Sequence, residues 1–106
     1  MTYGAPPTSL LAGLGIIRGF GEYTGNGTSL VINVGFSPTY IHCVNVGGAP
    51  ANRRGGFKTA SMPSNNAVDH TGNSAVGITI TATGFTLDSS AMFNFNGDTY
   101  DYYAWR

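Results

Sequence analysis

The sequence predicts an all-β fold, an antiparallel β-sandwich or jelly-roll-like barrel of about seven or eight short strands. Three observations lead to this fold class. Residues 28–34 and 76–83 alternate between apolar and polar side chains, as half-buried strands do. Turn signals built from Gly, Asn, Asp and Pro recur about every ten residues. No segment predicts a convincing helix, and a length of 106 residues suits one domain.

Residues 1–15 differ from the rest of the chain, because they show no strand alternation. Pro6–Pro7 keeps the backbone extended and removes two donors that a sheet would need. The segment is apolar and has almost no charge, so its side chains favour burial against another surface. We therefore expect an N-terminal arm that docks on another protein, with Tyr3, Leu10 and Leu11 as candidate contact residues.

Residues 16–106 are expected to form a single β-sandwich domain. Its first half contains three consecutive strand candidates that predict a meander: 16–23, 28–34 and 39–46. The last of these is a nearly continuous apolar run, which is typical of a central strand. Residues 47–75 are the least regular part, and a short strand is expected only at 57–60.

The closing segment, Phe93–Arg106, is rich in aromatic residues. Asn96–Gly97 tolerates the positive φ angles of a tight turn, so the segment is expected to be a β-hairpin. Alternation in its second strand defines two faces: Tyr100, Tyr102 and Ala104 on one, Asp101, Tyr103 and Trp105 on the other. We expect one face to pack inward and the other to meet a subunit, a partner or a ligand.

Charge and hydropathy exclude several classes of partner. Charged residues make up 9% of the chain, against about 25% in ordinary domains. Lys plus Arg equals Asp plus Glu, five of each, so the formal net charge is zero, which argues against nucleic-acid binding and favours self-association. No apolar run approaches the roughly 20 residues that cross a bilayer, and no signal peptide is recognised, so no membrane partner is expected.

Residues for nucleophilic catalysis are sparse. Cys43 is the only cysteine and is preceded by His42, so on a strand their side chains point to opposite faces. Asp69–His70 could orient an imidazole toward Cys43, but no nucleophile motif accompanies these residues. The sequence therefore predicts no catalytic residue and no enzymatic activity.

Metal ligands are also few. Two histidines and one cysteine lie at spacings that fit no structural zinc site. Oxygen ligands for calcium surround the last turn, at Asn94, Asn96, Asp98 and Asp101, but the spacing is not that of an EF-hand. Asn96 and Asp98 are equally well explained as turn formers. The prediction is no metal site and no cofactor.

Two groups of residues are candidates for protein contacts. Arg53–Arg54 lies between glycine and asparagine, and is either a solvated loop or a contact for a carboxylate on a neighbouring protein. The closing strand contributes Tyr100, Tyr103 and Trp105. Three interpretations stay open for Tyr103 and Trp105: a core position, a subunit interface, or a stacking platform for a sugar ring.

Two motifs carry a resemblance to a known group of proteins. Gly21–Gly27 (GEYTGNG), followed by Ile32–Ile41 (INVGFSPTYI), resembles a segment of small β-rich bacteriophage virion proteins, which include tail-fibre tips and capsid decoration domains. The ending from Gly84–Leu87 to Tyr100–Trp105 is similar to the closing aromatic strand of the same proteins. The resemblance covers about residues 19–46 and 76–106 and carries over no catalytic residue.

The resemblance implies a structural protein of the virion surface. It favours a head decoration (cement) protein that binds the phage major capsid protein as a homotrimer, because no shaft or repeat precedes the β-domain. The alternative is a tail-fibre tip, a receptor-binding module that recognises cell-surface glycans.

Overall fold

Two antiparallel sheets make up the described part of the chain, which a computed structural model gives for residues 17–47, 54–90 and 92–106. The expected arm at 1–15 and the candidate contact residue Arg53 lie outside these residues. The strands are β1 (Arg18–Thr24), β2 (Leu30–Asn33), β3 (Tyr40–Asn45), β4 (Gly55–Thr59), β5 (Asn66–Asp69), β6 (Ser74–Val76), β7 (Ile78–Ile80), β8 (Gly84–Leu87) and β9 (Thr99–Trp105).

The six-stranded sheet has the order β1-β9-β3-β4-β5-β6, and the three-stranded sheet has the order β2-β8-β7. This architecture confirms the predicted all-β, sandwich-like fold, with nine short strands in the described residues. The prediction that 39–46 contains a central strand is also confirmed, because β3 lies between β9 and β4.

The expected three-stranded meander is wrong. β1 and β3 both pair with β9, while β2 leaves for the other sheet and pairs with β8. An alternating pattern shows that a strand is half-buried, but it fits either sheet of a sandwich equally well. The sequence pattern therefore located these strands without giving their partners.

The expected closing hairpin is wrong as well. Residues 92–98 form turns instead of a strand, and β9 pairs with β1 on one side and β3 on the other. The buried side chain of Asn94 explains the difference, because it accepts a hydrogen bond from the Asn26 amide at 2.8 Å and donates to the Asp88 carbonyl at 3.0 Å. These bonds replace the ladder that a strand would have formed.

The expected strand at 76–83 is divided at Gly77, whose φ of +137° is unfavourable for a side chain. The amide of Gly77 donates to the Asn65 carbonyl at 2.9 Å, and the chain crosses from β6 in one sheet to β7 in the other. The irregular region 47–75 contains β4 and β5, of which only β4 was expected, at slightly different bounds.

A shared core joins the sheets. The six-stranded sheet contributes buried residues from β3 and β9, the three-stranded sheet contributes others from β7 and β8, and turns add further rings. The fully buried apolar members are Ile41, Cys43, Ile78, Phe85, Leu87, Phe93, Tyr100 and Ala104. Because the smaller sheet packs on one side only, the opposite face of the six-stranded sheet is left uncovered by this core.

Lys58 is an unusual member of the buried face, with 1% of its surface exposed. Its ammonium donates to the backbone carbonyls of Met62, Ser64 and Asn66, at 2.9, 3.0 and 2.8 Å. Burial lowers the pKa of Lys58, and the three acceptors replace the water that the ammonium loses. This lysine thereby holds the turns between β4 and β5 against the sheet.

Candidate functional site

The uncovered face of the six-stranded sheet carries a continuous group of aromatic side chains. Register explains the group, because residues that are directly opposite on neighbouring strands project to the same side. Phe20 and His42 both lie opposite Tyr103, Tyr40 lies opposite Trp105, and His42 lies opposite Phe57. We call this set the outer aromatic face: Phe20, Tyr40, His42, Phe57, Tyr103 and Trp105.

One row of rings on the outer aromatic face is stacked. The Tyr40 centroid lies 5.3 Å from that of Trp105 and 6.1 Å from that of Phe57, with interplanar angles of 26° and 25°. Near-parallel rings with centroids about 4.5–7 Å apart are within the range of offset-stacked aromatic pairs. Tyr40 therefore has a near-parallel ring neighbour on each adjacent strand, Phe57 on β4 and Trp105 on β9.

The second row is tilted. Phe20 and Tyr103 meet edge to face, with centroids 5.6 Å apart, and Tyr103 lies 6.1 Å from the imidazole of His42. The guanidinium of Arg18 lies 5.8 Å from the Phe20 centroid, within range of a cation–π contact. Trp105 is 39% exposed and Phe20 is 36% exposed, so large apolar rings remain accessible to a partner.

The alternation predicted for the closing strand is confirmed. Tyr100 and Ala104 are fully buried, whereas Tyr103 and Trp105 lie on the outer aromatic face. Among the candidate contact residues, Tyr100 is therefore a core residue, and its hydroxyl group donates to the Met92 carbonyl at 3.2 Å. In the single chain Trp105 occupies no core position, which removes one of the three interpretations left open for it.

Arg54 has partners within its own chain. Its guanidinium lies 3.7 Å from the Asp98 carboxylate and 4.1 Å from the Phe95 ring centroid. The same Asp98 oxygen accepts a hydrogen bond from the Asn45 amide at 2.7 Å. These contacts tie the start of β4 to the turn before β9, and a contact of Arg54 with another protein stays a prediction.

The structure separates the residues considered for catalysis. Cys43 is fully buried on the inner face, and burial raises the pKa of its thiol to about 12. The imidazoles of His42 and His70 lie together on the opposite face, with their Nε2 atoms 3.1 Å apart. His42 and Cys43 point to opposite faces as predicted, and His70 approaches the other histidine instead of the thiol.

The residues considered as calcium ligands are dispersed. Asn94 is buried with its amide engaged by Asn26 and Asp88, Asp98 contacts Arg54, and Asp101 lies on the outer side of β9. Within the described ranges, no group of three or more His, Cys, Asp or Glu side chains is placed to hold a metal ion.

Sequence reasoning missed Phe20, Tyr40, His42 and Phe57 as members of the site. The alternation in residues 39–46 contained a signal, because Tyr40 and His42 share a face there. That face could be matched with Tyr103 and Trp105 only after β3 was known to pair with β9. Pairing of strands about 60 residues apart is a property of the fold and not of local pattern.

No family model matches the chain, and searches of curated proteins and of solved structures give no significant match. In the described residues, no helix is long and apolar enough to cross a membrane. The function is therefore inferred from the outer aromatic face and from the motifs of the sequence.

Proposed function

We propose that this protein is a bacteriophage structural protein, a head decoration protein that assembles as a homotrimer and binds the major capsid protein. The observation that carries the assembly part is the outer aromatic face, which presents several large rings to solvent on one side of one sheet. The assignment to a virion is supported by the motifs at Gly21–Gly27 and Ile32–Ile41.

The composition of the outer aromatic face suits contact between proteins. Tyr, Trp and Phe are enriched in interfaces, while a net charge of zero removes the repulsion that keeps copies apart. Contiguous exposed apolar surface is uncommon on a monomer and marks interaction sites. The stacked rings of Tyr40, Phe57 and Trp105 form a preordered surface, so little side-chain entropy is lost on binding.

The stacking also bears on the glycan alternative. A sugar platform requires an open ring face, and Tyr40 is flanked by near-parallel rings on both adjacent strands, Phe57 and Trp105. This arrangement favours packing against the apolar side chains of another protein.

One observation nevertheless favours the tail-fibre alternative. A shallow depression at the edge of the sheet is lined by Phe20 and Tyr103 together with two carboxylates, Glu22 and Asp101. The two carboxylate residues lie directly opposite each other in the β1–β9 pair, an unfavourable arrangement for like charges. Hydroxyl groups of a sugar would supply donors to both carboxylates.

The position of the protein on the particle distinguishes the two functions. Antibody raised against this chain, labelled with gold, should decorate the heads of virions from the source of the sequence. Label at the tail tip would instead select the glycan-binding alternative, and unlabelled particles would contradict both.

Capsid binding is tested with particles that lack the protein. Added wild-type protein should restore decoration, and the Trp105→Ala variant should restore less of it if trimer assembly precedes binding. The matched control is Val31→Ser, which removes a 71%-exposed apolar residue from the three-stranded sheet. Equal loss of decoration by both variants would contradict a specific role for the outer aromatic face.

A further inference from the structure

The two histidines of the chain are brought together on the outer side of the six-stranded sheet. The Nε2 atoms of His42 and His70 are 3.1 Å apart, and the rings meet at 83° with their centroids 5.3 Å apart. The residues are 28 positions apart in the sequence, so the fold and not local geometry creates the contact. The chain contains no other histidine.

Glycine in β4 makes this approach possible. β4 lies between β3, which carries His42, and β5, which His70 follows. A Cβ atom at Gly55 would lie only 3.0 Å from Cε1 of His70, so the imidazole rests where a side chain would project. The backbone amide of His70 donates to the Gly55 carbonyl at 3.1 Å, which anchors it at this position.

The side chain of Asp69, the residue before His70, stabilises the turn that follows His70. An oxygen of the Asp69 carboxylate accepts hydrogen bonds from the amides of Thr71 and Asn73, at 2.9 and 3.0 Å, and from the Thr71 hydroxyl at 2.6 Å. Asp69 is therefore engaged in shaping the turn, while the imidazole of His70 is directed over β4 toward His42. The pair is thus fixed from both sides, by a sheet strand and by a closed turn.

We propose that His42 and His70 form a two-histidine binding site for a divalent transition-metal ion of the class that imidazole prefers, such as zinc, copper or nickel. Two imidazole nitrogens bound to zinc at about 2.0–2.1 Å with tetrahedral geometry lie about 3.3 Å apart. The Nε2 atoms are already at nearly this separation. Binding requires the rings to turn so that the lone pairs of both Nε2 atoms point to one ion. The proton held between the two nitrogens passes to solvent, and Nδ1 of the same ring takes up a proton, so both ligating rings are neutral.

The surroundings of the pair suit such a site. His70 is exposed and His42 is half-buried, so an ion reaches both nitrogens from solvent. Burial and the neighbouring His70 lower the pKa of His42, which keeps that imidazole neutral and able to ligate at neutral pH. With no third His, Cys, Asp or Glu placed beside the pair in the described ranges, water completes the coordination shell. The site does not depend on the proposed virion function.

Calorimetric titration of zinc chloride into the full, untagged chain at about pH 7.5 tests the site. Wild-type protein should bind a single ion per chain. His42→Ala and His70→Ala should each weaken binding at least about tenfold, since loss of even an outer-shell partner costs a metal site about 10–100-fold. The control Thr79→Ala, on the exposed side of β7, should bind as wild type does.

Nitrogen NMR of the imidazole rings is a second test of zinc binding, and it uses only the wild-type protein. Zinc should shift the Nε2 resonances of both histidines together. The absence of saturable binding would overturn the proposal, as would unchanged binding in His70→Ala or a shift confined to one ring. Binding that survives both substitutions would assign the ion to another group, such as the Glu22–Asp101 pair, and would also overturn it.

Discussion

Strand β9 shows two environments on its two faces. Tyr100, on the inner face, is 0% exposed, and its hydroxyl accepts from the Phe95 amide at 3.1 Å and donates to the Met92 carbonyl. Tyr103, three residues later, lies on the outer aromatic face. In the described part of the chain, no hydrogen bond reaches the hydroxyl of Tyr103 or that of Tyr40 on the neighbouring strand.

The two faces of β9 therefore differ in role: the inner residues stabilise the fold, and the outer residues are exposed where a partner could bind. Inner tyrosines hold the turns that replace the expected hairpin: beside Tyr100, the hydroxyl of Tyr23 donates to the Phe93 carbonyl at 2.6 Å. The outer rings contact mainly one another and leave polar edges and apolar surface accessible. Substitutions on the inner face should therefore lower stability, whereas substitutions on the outer face should chiefly change association.

The largest effect is expected for Tyr100→Ala. Removal of a fully buried ring leaves a cavity and frees the turn at 92–95, so the free energy of unfolding should fall by about 3–5 kcal/mol. Urea denaturation at two protein concentrations measures it, and the loss should be the same at both. Tyr100→Phe, which keeps the ring, should cost only about 1 kcal/mol. A stable Tyr100→Ala variant would contradict the role assigned to the inner face.

Lys58→Met should have the next largest effect. The substitution keeps most of the buried side-chain volume but leaves the carbonyls of Met62, Ser64 and Asn66 without their donor. Unsatisfied buried acceptors cost roughly 1–3 kcal/mol, which urea denaturation would detect. Faster hydrogen exchange should appear in the turn between β4 and β5. Unchanged stability would mean that solvent replaces the lysine without penalty.

Trp105→Ala should cost less in dilute protein. The ring stacks on Tyr40, and this aromatic pair contributes about 0.5–1.5 kcal/mol beyond the burial of its area. Because the ring is 39% exposed, the total loss should stay below that for Tyr100→Ala. At high concentration the difference from wild type should grow, because association stabilises only the protein that can assemble. Thermal melts over a dilution series measure both the loss of stability in dilute protein and its increase with protein concentration. A loss as large as that of Tyr100→Ala, independent of concentration, would place Trp105 with the inner residues.

The smallest expected effect is on the pH dependence of stability. The pKa of His42 is lowered by burial and by His70, while the unfolded chain has the ordinary value of about 6.5. The unfolded state thus takes up the proton first, and stability present above about pH 6.5 is lost as pH falls. Besides His70, the titratable side chain of Tyr103 of β9 packs beside His42.

Melts of wild type and His42→Gln at about pH 7.5 and about pH 5.5 isolate the contribution of His42. Wild type should lose more stability on acidification than the variant does. Equal losses would assign the pH dependence in this range to groups other than His42.

The sequence predicted the features that depend on local pattern. A nearly continuous apolar run located β3, alternation assigned the two faces of β9, and the glycine-rich turn signals marked most of the corners. Strand partners were not predicted, because a half-buried strand can join either sheet. The hairpin prediction failed because the side chain of Asn94 bonds to Asn26, 68 positions away, as well as to Asp88.

The candidate site could be predicted only in part, because local pattern shows which residues share a face within one strand but not which strands pair. Tyr103 and Trp105 are adjacent in the pattern of one strand, so their common face was foreseen. Tyr40, Phe57 and the His42–His70 contact depend on the register of β3 with β4 and β9, and on the absence of a side chain at Gly55. Strand register and the packing at Gly55 depend on residues far apart in the sequence, so no local motif predicts them.

The central claim is that the outer aromatic face is where copies of the chain associate. Light scattering coupled to size-exclusion chromatography at micromolar concentration tests it most directly. Wild type and Val31→Ser should have a mass near three times the 11.1 kDa of the chain, and Trp105→Ala should shift toward the monomer mass while remaining folded. A wild-type protein that stays at 11.1 kDa, or a Trp105→Ala variant that assembles fully, would contradict the claim.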